Sequence, residues 1–392
     1  MFSGLTRPTQ VCHGTRSALG LDFADAMEPR NLELYASRLG CKPVFLHALA
    51  ALQRDARLWR ISSVERGLCR LLGFGDDGVL IERRARFGAQ PIAVGDWVVL
   101  EDERQDPAHV AHVLERMTWL QRGSAHREGE AQLIAANLDT VFIVAAFAET
   151  PKLEARSLRA RRLDRFISAV RQGGATPVVV LNKLDLSGRN EGELEALRNA
   201  LAARLGGVDV VCASALDQRG LEALSERIPP GDTVAFIGPS GVGKSSLINA
   251  VLGEERQLVS AVRSRDTKGR HTTTRRELLM LRTGALLIDT PGVREFAVVT
   301  DEHIAGFEDI DELAQHCRFN DCAHDTEPGC VVRAAIERGE LAAERLESFR
   351  LLERDAQRLQ VKHDAYARHL EHAEQRRFGR MVREAMASNK KT

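Results

Sequence analysis

The segment that most constrains the fold is Gly238-Pro239-Ser240-Gly241-Val242-Gly243-Lys244-Ser245, followed by Ser246. It matches G-x-x-x-x-G-K-[ST] in full, and its flanks suit the pattern. Asp232 to Ile237 is a short apolar, β-rich run that reads as a buried strand, and Ser246 to Leu252 reads as a helix ending near Gly253. Glycines here let the backbone wrap a polyphosphate so that N–H groups and the helix N-terminus face its oxygens. Lys244 is placed to reach the β- and γ-phosphates, and the Ser245 hydroxyl to ligate Mg²⁺.

At 392 residues the chain is long enough for two or three domains. Texture divides it at about 53, 122 and 300. Residues 1–53 form an N-terminal extension with a helix expected from Asn31 to Arg38 and no assignable chemistry; a disordered or lightly packed segment is expected there. Over 54–122 there are five short β-rich runs, Leu58 to Val64, Gly67 to Leu72, Gly78 to Ile81, Trp97 to Glu101 and His109 to Leu114. They suggest a small closed barrel of OB type. Arg60, Arg66, Arg70, Arg83, Arg84 and Arg86 either line an oligonucleotide-binding face or form a solvated one, and Trp59, Trp97 and Trp119 suit a core. Residues 123–300 alternate strand and helix as in a three-layer α/β domain, with a basic-faced helix over Arg159 to Arg171. Residues 301–392 are helical and charged, and end in a basic tail.

The net charge is zero, so any nucleic-acid contact must be a local patch. The longest apolar run, Val141 to Ala148, is far below the roughly 20 residues that cross a bilayer. Together with the absence of a signal-like start and an odd count of seven cysteines, this reads as a cytoplasmic protein with no membrane partner.

Asn182-Lys183-Leu184-Asp185 comes directly after the strand Val178 to Leu181, at the carboxyl end where α/β sheets bind ligands. The Asp185 carboxylate can accept from both the ring N–H and the exocyclic amine of guanine, a pair that adenine lacks, so it selects GTP over ATP. Ala213-Ser214-Ala215, at the end of the next strand, would bring a backbone N–H near the guanine carbonyl. Asp289-Thr290-Pro291-Gly292 comes after the strand Leu286 to Ile288; Asp289 is expected to hold Mg²⁺ through water and the Gly292 N–H to meet the γ-phosphate. In the loop Lys268 to Thr274, Thr274, and after it Thr273, is the expected switch threonine on Mg²⁺. Common GTPases run phosphate loop, threonine, D-x-x-G, N-K-x-D, S-A. This chain runs N-K-x-D, S-A, phosphate loop, threonines, D-T-P-G, which builds the same sheet if the termini are joined and a new break is placed after the D-x-x-G strand.

Cys317, Cys322, His324 and Cys330 supply three thiolates and one imidazole within fourteen residues, the ligand set of a closed structural zinc site. Pro328-Gly329 provides the turn that returns Cys330 to the group.

The permuted order and this cluster resemble the RsgA family of circularly permuted bacterial GTPases that mature the small ribosomal subunit. The resemblance covers roughly 54–350 and rests on Gly238 to Ser246, Asn182 to Asp185, Gly269 to Thr274, Asp289 to Phe296 and the cysteines; Gly95-Asp96-Trp97-Val98 and Ala136-Asn137-Leu138-Asp139 also look like that family. It implies a circularly permuted P-loop GTPase domain of α/β class, an N-terminal OB-type β-barrel and a C-terminal helical zinc-binding domain. It further implies GTP and GDP as ligands, Mg²⁺ with GTP, one Zn²⁺, and the 30S subunit with its 16S rRNA as partners; a monomer is expected. After Gly292, where Ras-like enzymes carry a water-orienting glutamine, this chain has Val293, which cannot do so. His271 in the switch loop is the candidate catalytic group beside Lys244 and Thr274. Two other functions stay open: a stand-alone GTPase without RNA, and an RNA-binding module whose nucleotide is structural.

Overall fold

A computed structural model describes residues 29–52, 56–123, 131–150, 157–252, 276–289 and 304–358, with Lys152, Glu154 and Val361. Two β-systems dominate it. The first is a run of strands in the order β10 (Asp209–Cys212), β9 (Thr176–Asn182), β8 (Thr140–Ala146), β11 (Thr233–Ile237), β13 (Leu286–Asp289) and β12 (Glu277–Met280), and β12 pairs at Glu277 with Ser63 of the second system, so the two are continuous. All neighbours pair in parallel except the β12–β13 hairpin. The parallel strands are near-continuous apolar runs, such as Val178-Val179-Val180-Leu181, because helices cover both faces and neither side of the pleat meets water. Helices Ala160–Gln172 and Glu191–Arg204 connect strands of this sheet. The second starts with a capping box in which Asn190 accepts from the Glu193 amide and Glu193 accepts from the Asn190 amide.

The second system is a five-stranded barrel. β1 (Trp59–Glu65), β2 (Leu68–Phe74), β3 (Leu80–Arg86), β5 (Ala108–Val113) and β4 (Trp97–Leu100) run in that spatial order, and β4 closes on β1. β3 and β5 are parallel and the other neighbours antiparallel. That is the partly open Greek-key barrel of OB type. Its core contains Trp59, Ile61, Leu71 and Val98. A separate hairpin, β6 (Trp119–Gly123) with β7 (Ala131–Ala136), links the barrel to the sheet; the residue pattern alone gives no strands there.

The barrel arginines divide. Arg60 is fully buried, so it belongs to no oligonucleotide-binding face. Arg70 pairs with Glu82 at 2.8 Å and Arg84 with Asp106 at 3.0 Å, both at the surface.

Residues 29–52 differ from the lightly packed extension expected. They form α1 (Pro29–Leu39) and α2 (Pro43–Ala51), and Tyr35, Leu39, Phe45 and Leu49 are buried in the largest core cluster. Tyr35 stands edge-on to Phe74 at 5.0 Å, and its hydroxyl donates to the Leu58 carbonyl at 2.9 Å. Residues 1–28 and the tail beyond 361 lie outside the described residues.

The C-terminal unit contains helices Glu308–Ala314 and Val331–Glu337 and a helix over 343–358 around Phe307, Ile310, Val332, Leu346 and Leu352. It docks on Ala160–Gln172, where three arginines of the basic face meet its carboxylates. Arg161 meets Glu347, Arg165 meets Asp355 at 2.6 Å and Arg171 meets Glu308 at 3.2 Å.

The packing of α1 makes a direct prediction. Leu39→Ala removes a fully buried side chain and should lower unfolding stability by about 2–5 kcal/mol, read from urea unfolding by tryptophan fluorescence. An unchanged midpoint would show that α1 is not part of the core.

Candidate functional site: a nucleotide cleft and a four-ligand cluster

The cleft lies at the carboxyl ends of β8, β9, β11 and β13. β11 ends at Ile237 and the phosphate loop begins at Gly238, whose φ of 143° and close approach exclude a side chain. A Cβ there would lie 2.3 Å from the Val144 carbonyl oxygen. Gly241 and Gly243 also hold left-handed φ values, 84° and 85°. The loop passes into the helix Lys244–Leu252, so its last amides and the helix N-terminus face the same space. Lys244 Nζ donates to the Gly238 and Pro239 carbonyls, each at 2.8 Å, which holds the ammonium inside the loop's arc. Burial pushes its pKa below the ordinary lysine value, against the opposing charge of Asp289. Asp289 ends β13, the parallel neighbour of β11.

Asn182, the last residue of β9, binds this loop. Its side-chain amide donates to the Val242 carbonyl at 2.8 Å and reaches that of Gly243 at 3.4 Å. A Cβ on Gly243 would lie 2.5 Å from the same amide, so glycine permits the contact. Lys183 then takes a left-handed φ of 62°, which turns the chain out of the strand and into the short helix Leu184–Leu186 carrying Asp185. Ser214 Oγ donates to Asp185 Oδ1 at 2.7 Å and accepts from the Leu216 and Asp217 amides at 3.2 and 3.3 Å. Ser214 therefore orients the carboxylate through its side chain, a role that sequence reasoning missed. Its own N–H donates to the Arg219 carbonyl at 2.9 Å. No spacing rule signals this, because the two loops come together only through the β9–β10 pairing.

Asn182, Lys183, Asp185, Ser214, Ala215, Asp289 and the segment from Gly238 to Ser246 thus come together at one end of one sheet. His271, Thr273, Thr274 and Gly292 lie outside the described residues.

The second constellation is in the C-terminal unit. The side-chain ligand atoms of Cys317, Cys322, His324 and Cys330 all lie within 4.8 Å of one another. His324 Nδ1 is 3.6 Å from Cys317 Sγ and 3.5 Å from Cys330 Sγ, and the two sulfurs are 4.0 Å apart. Tetrahedral zinc with normal Zn–S and Zn–N bonds gives ligand separations of about 3.6–3.8 Å. The cluster is compatible with one zinc ion. Outer contacts hold the ligands in place. Cys330 caps the helix Val331–Glu337 by accepting from the Arg333 amide at 3.5 Å, and Arg350 donates to the His324 carbonyl at 2.5 Å. The Glu327 carboxylate gathers the amides of Ala323, Asp325 and Thr326. Gly329, at a φ of 78°, makes the expected turn before Cys330.

The parallel sheet with its nucleotide cleft, built in permuted order beside a barrel, defines a circularly permuted GTPase. A family model described as RsgA GTPase matches residues 113–299. The small ribosomal subunit biogenesis GTPase RsgA of Methanosarcina acetivorans is 43% identical over 302 residues, covering 75% of this chain and 78% of that one. RsgA 2 of Vibrio vulnificus is 40% identical over 330 residues, 82% and 88% of the two chains. Among solved structures, YjeQ from Thermotoga maritima matches with a TM-score of 0.56 at 26% identity, covering 77% of this chain and 98% of that one. YloQ, described as a circularly permuted GTPase, matches with a TM-score of 0.55 at 25% identity and coverages of 77% and 96%. The chain belongs to the RsgA family.

The metal cluster is testable without activity. The purified protein should carry about one zinc per chain, and Cys322→Ala should abolish it, because three remaining ligands leave the tetrahedron open. Zinc should also be lost as pH falls, since the thiolates and imidazole must be deprotonated to bind. Metal analysis that finds no zinc in the parent protein would refute the assignment.

Proposed function

We propose that this protein hydrolyses GTP as a late maturation and checkpoint factor of the 30S ribosomal subunit, binds 16S rRNA, and is released when its GTP is hydrolysed. The supporting observation is the tie from Asn182 to Val242, which joins a guanine-type loop to a phosphate loop in one cleft. Membership of a family whose relatives are named small ribosomal subunit biogenesis GTPases supplies the ribosomal context. A monomer acting in the cytoplasm suits this reading, and among the described residues no helix is long and apolar enough to cross a membrane.

In this reading Asp185 accepts from the two guanine donors, held at the right angle by Ser214, and Lys183 and Ala215 border the base. Amides of Gly241 to Lys244 and the ammonium of Lys244 surround the β- and γ-phosphates, where Lys244 exchanges its loop carbonyls for phosphate oxygens. Mg²⁺, when bound, neutralises charge developing between the β- and γ-phosphates, and Ser245, Thr274 and Asp289 are the residues that would hold it. Ser240 lies within the loop and Ser246 follows it, Thr273 is the second switch threonine, and Gly292 meets the γ-phosphate. With Val293 in the glutamine position, His271 orients the attacking water.

The rival without RNA predicts fast turnover by the protein alone. The rival with a structural nucleotide predicts equal RNA affinity with GDP and with a GTP analogue. The deciding experiment is GTP turnover by purified protein with and without 30S subunits, with ATP as control. Slow intrinsic turnover raised at least about a hundredfold by 30S, as partner-completed sites are, with ATP inert, is the expected result. Turnover indifferent to 30S would refute the maturation role. Within that assay, His271→Ala should keep GTP binding and lose most of the 30S stimulation; full stimulation would remove His271 from the mechanism.

A further inference from the structure

Two motifs of the sequence take no part in the cleft: Gly95-Asp96-Trp97-Val98 in the barrel and Ala136-Asn137-Leu138-Asp139 before β8. In the structure they meet each other. Asn137 takes a left-handed φ of 56°, its side-chain amide donates to the Gly95 carbonyl at 3.0 Å, and its Oδ1 accepts from the Met117 amide at 3.0 Å. A Cβ on Gly95 would lie 2.1 Å from the Ala136 carbonyl oxygen and 3.0 Å from Ile288 Cδ1, so barrel backbone lies directly against sheet backbone.

Two cations close this junction. Arg60, fully buried on β1, donates Nη2 to the Asn137 carbonyl at 3.1 Å and to Thr233 Oγ1 at 2.8 Å. Its Nη1 meets the Leu39 carbonyl at the end of α1, and its Nε reaches that of Gly95 at 3.4 Å. The guanidinium also lies over the Trp97 ring, 5.2 Å from its centroid. One side chain thus ties together α1, the barrel, the entry to β8 and the first residue of β11. Lys42, in the turn between α1 and α2, reaches Asp139 at 3.0 Å and Asp232 at 3.1 Å. Asp139 in turn accepts from the Thr233 amide at 2.8 Å. Both cations therefore act on the starts of β8 and β11. The phosphate loop begins at the far end of β11, five fully buried residues on, about 16 Å along the strand.

We infer that Lys42 and Arg60 are positioning residues that weld the barrel to the GTPase sheet at the starts of β8 and β11, so that the barrel and the phosphate-loop strand move as one rigid body in every nucleotide state. Opening the junction would part Arg60 from the Leu39 and Asn137 carbonyls and from Thr233 Oγ1, leaving a buried cation short of partners. The α1–α2 hairpin is part of this weld, not an appendage. The consequence for function rests on the proposed ribosomal role: a barrel held at a fixed angle presents its RNA-facing surface in register with the cleft.

The test is an intramolecular distance measurement on the full chain, with dyes introduced through unnatural amino acids at the exposed positions Asp77, in the β2–β3 turn, and Glu195, on the helix Glu191–Arg204. The parent protein should give the same single narrow distance distribution with GDP and with a non-hydrolysable GTP analogue. Lys42→Met should broaden it and lower 30S-stimulated turnover about fivefold or more, with GTP affinity and intrinsic turnover unchanged. Lys42→Arg, which keeps the two-carboxylate contact, should restore both. Arg60→Met should fail to fold or broaden the distribution further. A parent distance that shifts with nucleotide, or a Lys42→Met protein with a distribution as narrow as the parent's, would overturn the inference. The distance readout needs no ribosome, so a missing 30S response would count against the functional reading alone.

Discussion

A single guanidinium with no access to water governs how the two β-systems meet. An isolated buried cation is costly, and among the described residues no carboxylate is in hydrogen-bonding contact with Arg60 to offset that cost. Three carbonyls, one hydroxyl and the face of Trp97 take that place. Burial lowers its pKa to about 10, which still leaves it charged at neutral pH. Each acceptor comes from a different segment, so the site exists only when all four are assembled. That makes the junction cooperative: α1, the barrel strand β1, the Asn137 turn and β11 must be placed together or not at all.

The nucleotide cleft obeys a similar logic at the opposite end of the same strands. Asn182 and Val242 are sixty residues apart, with β10 and its loop between them, yet one hydrogen bond sets the spacing between base recognition and phosphate recognition. Chain order does not enter that contact, which is why the permuted connectivity leaves the cleft intact. Permutation instead changes where the chain goes after Asp289. From the end of β13 the chain runs through residues 290–303 into Ile304 and the four-ligand unit, so that unit follows directly on the strand that carries Asp289.

Much of this architecture is legible in the sequence, and the division between what is and what is not depends on the range of the interactions. The phosphate loop, Asn182 to Asp185 and the cysteine–histidine cluster are local: their ligand geometry is set by spacings of a few residues and by glycines at left-handed positions. The strands of the barrel and sheet show themselves through apolar and β-branched runs. Side chains whose environment is made by distant chain escape such reasoning. Arg60 looks in sequence like its neighbours Arg66 and Arg70, and only the arrival of Leu39, Asn137 and Thr233 makes it a core residue. The arginines of Ala160–Gln172 look like a free basic face because Glu347 and Asp355, their partners, lie about 190 residues downstream. The segment from Ala213 to Ala215 suggests a backbone contact, and the approach of Asp185 across the β9–β10 pair adds a side-chain contact from Ser214 that the sequence does not signal.

The two attachments to the GTPase sheet differ in kind. The barrel is held by a desolvated cation, a shared backbone surface, the pairing of β1 with β12 at Ser63 and Glu277, and the aromatic contacts of Tyr35 and Phe45. The C-terminal unit meets its helix through surface ion pairs, Arg161 with Glu347 and Arg165 with Asp355, whose side chains remain 38–56% exposed, and through the buried Asp164 and Ser348. Pairs of that exposure contribute about 0–1 kcal/mol each and weaken as salt rises. Arg345, buried between Asp309 and the Gly306 carbonyl, also reaches the Arg204 carbonyl of the GTPase domain at 3.4 Å. Salt therefore acts on the rim of the second attachment and leaves the desolvated contacts of both in place.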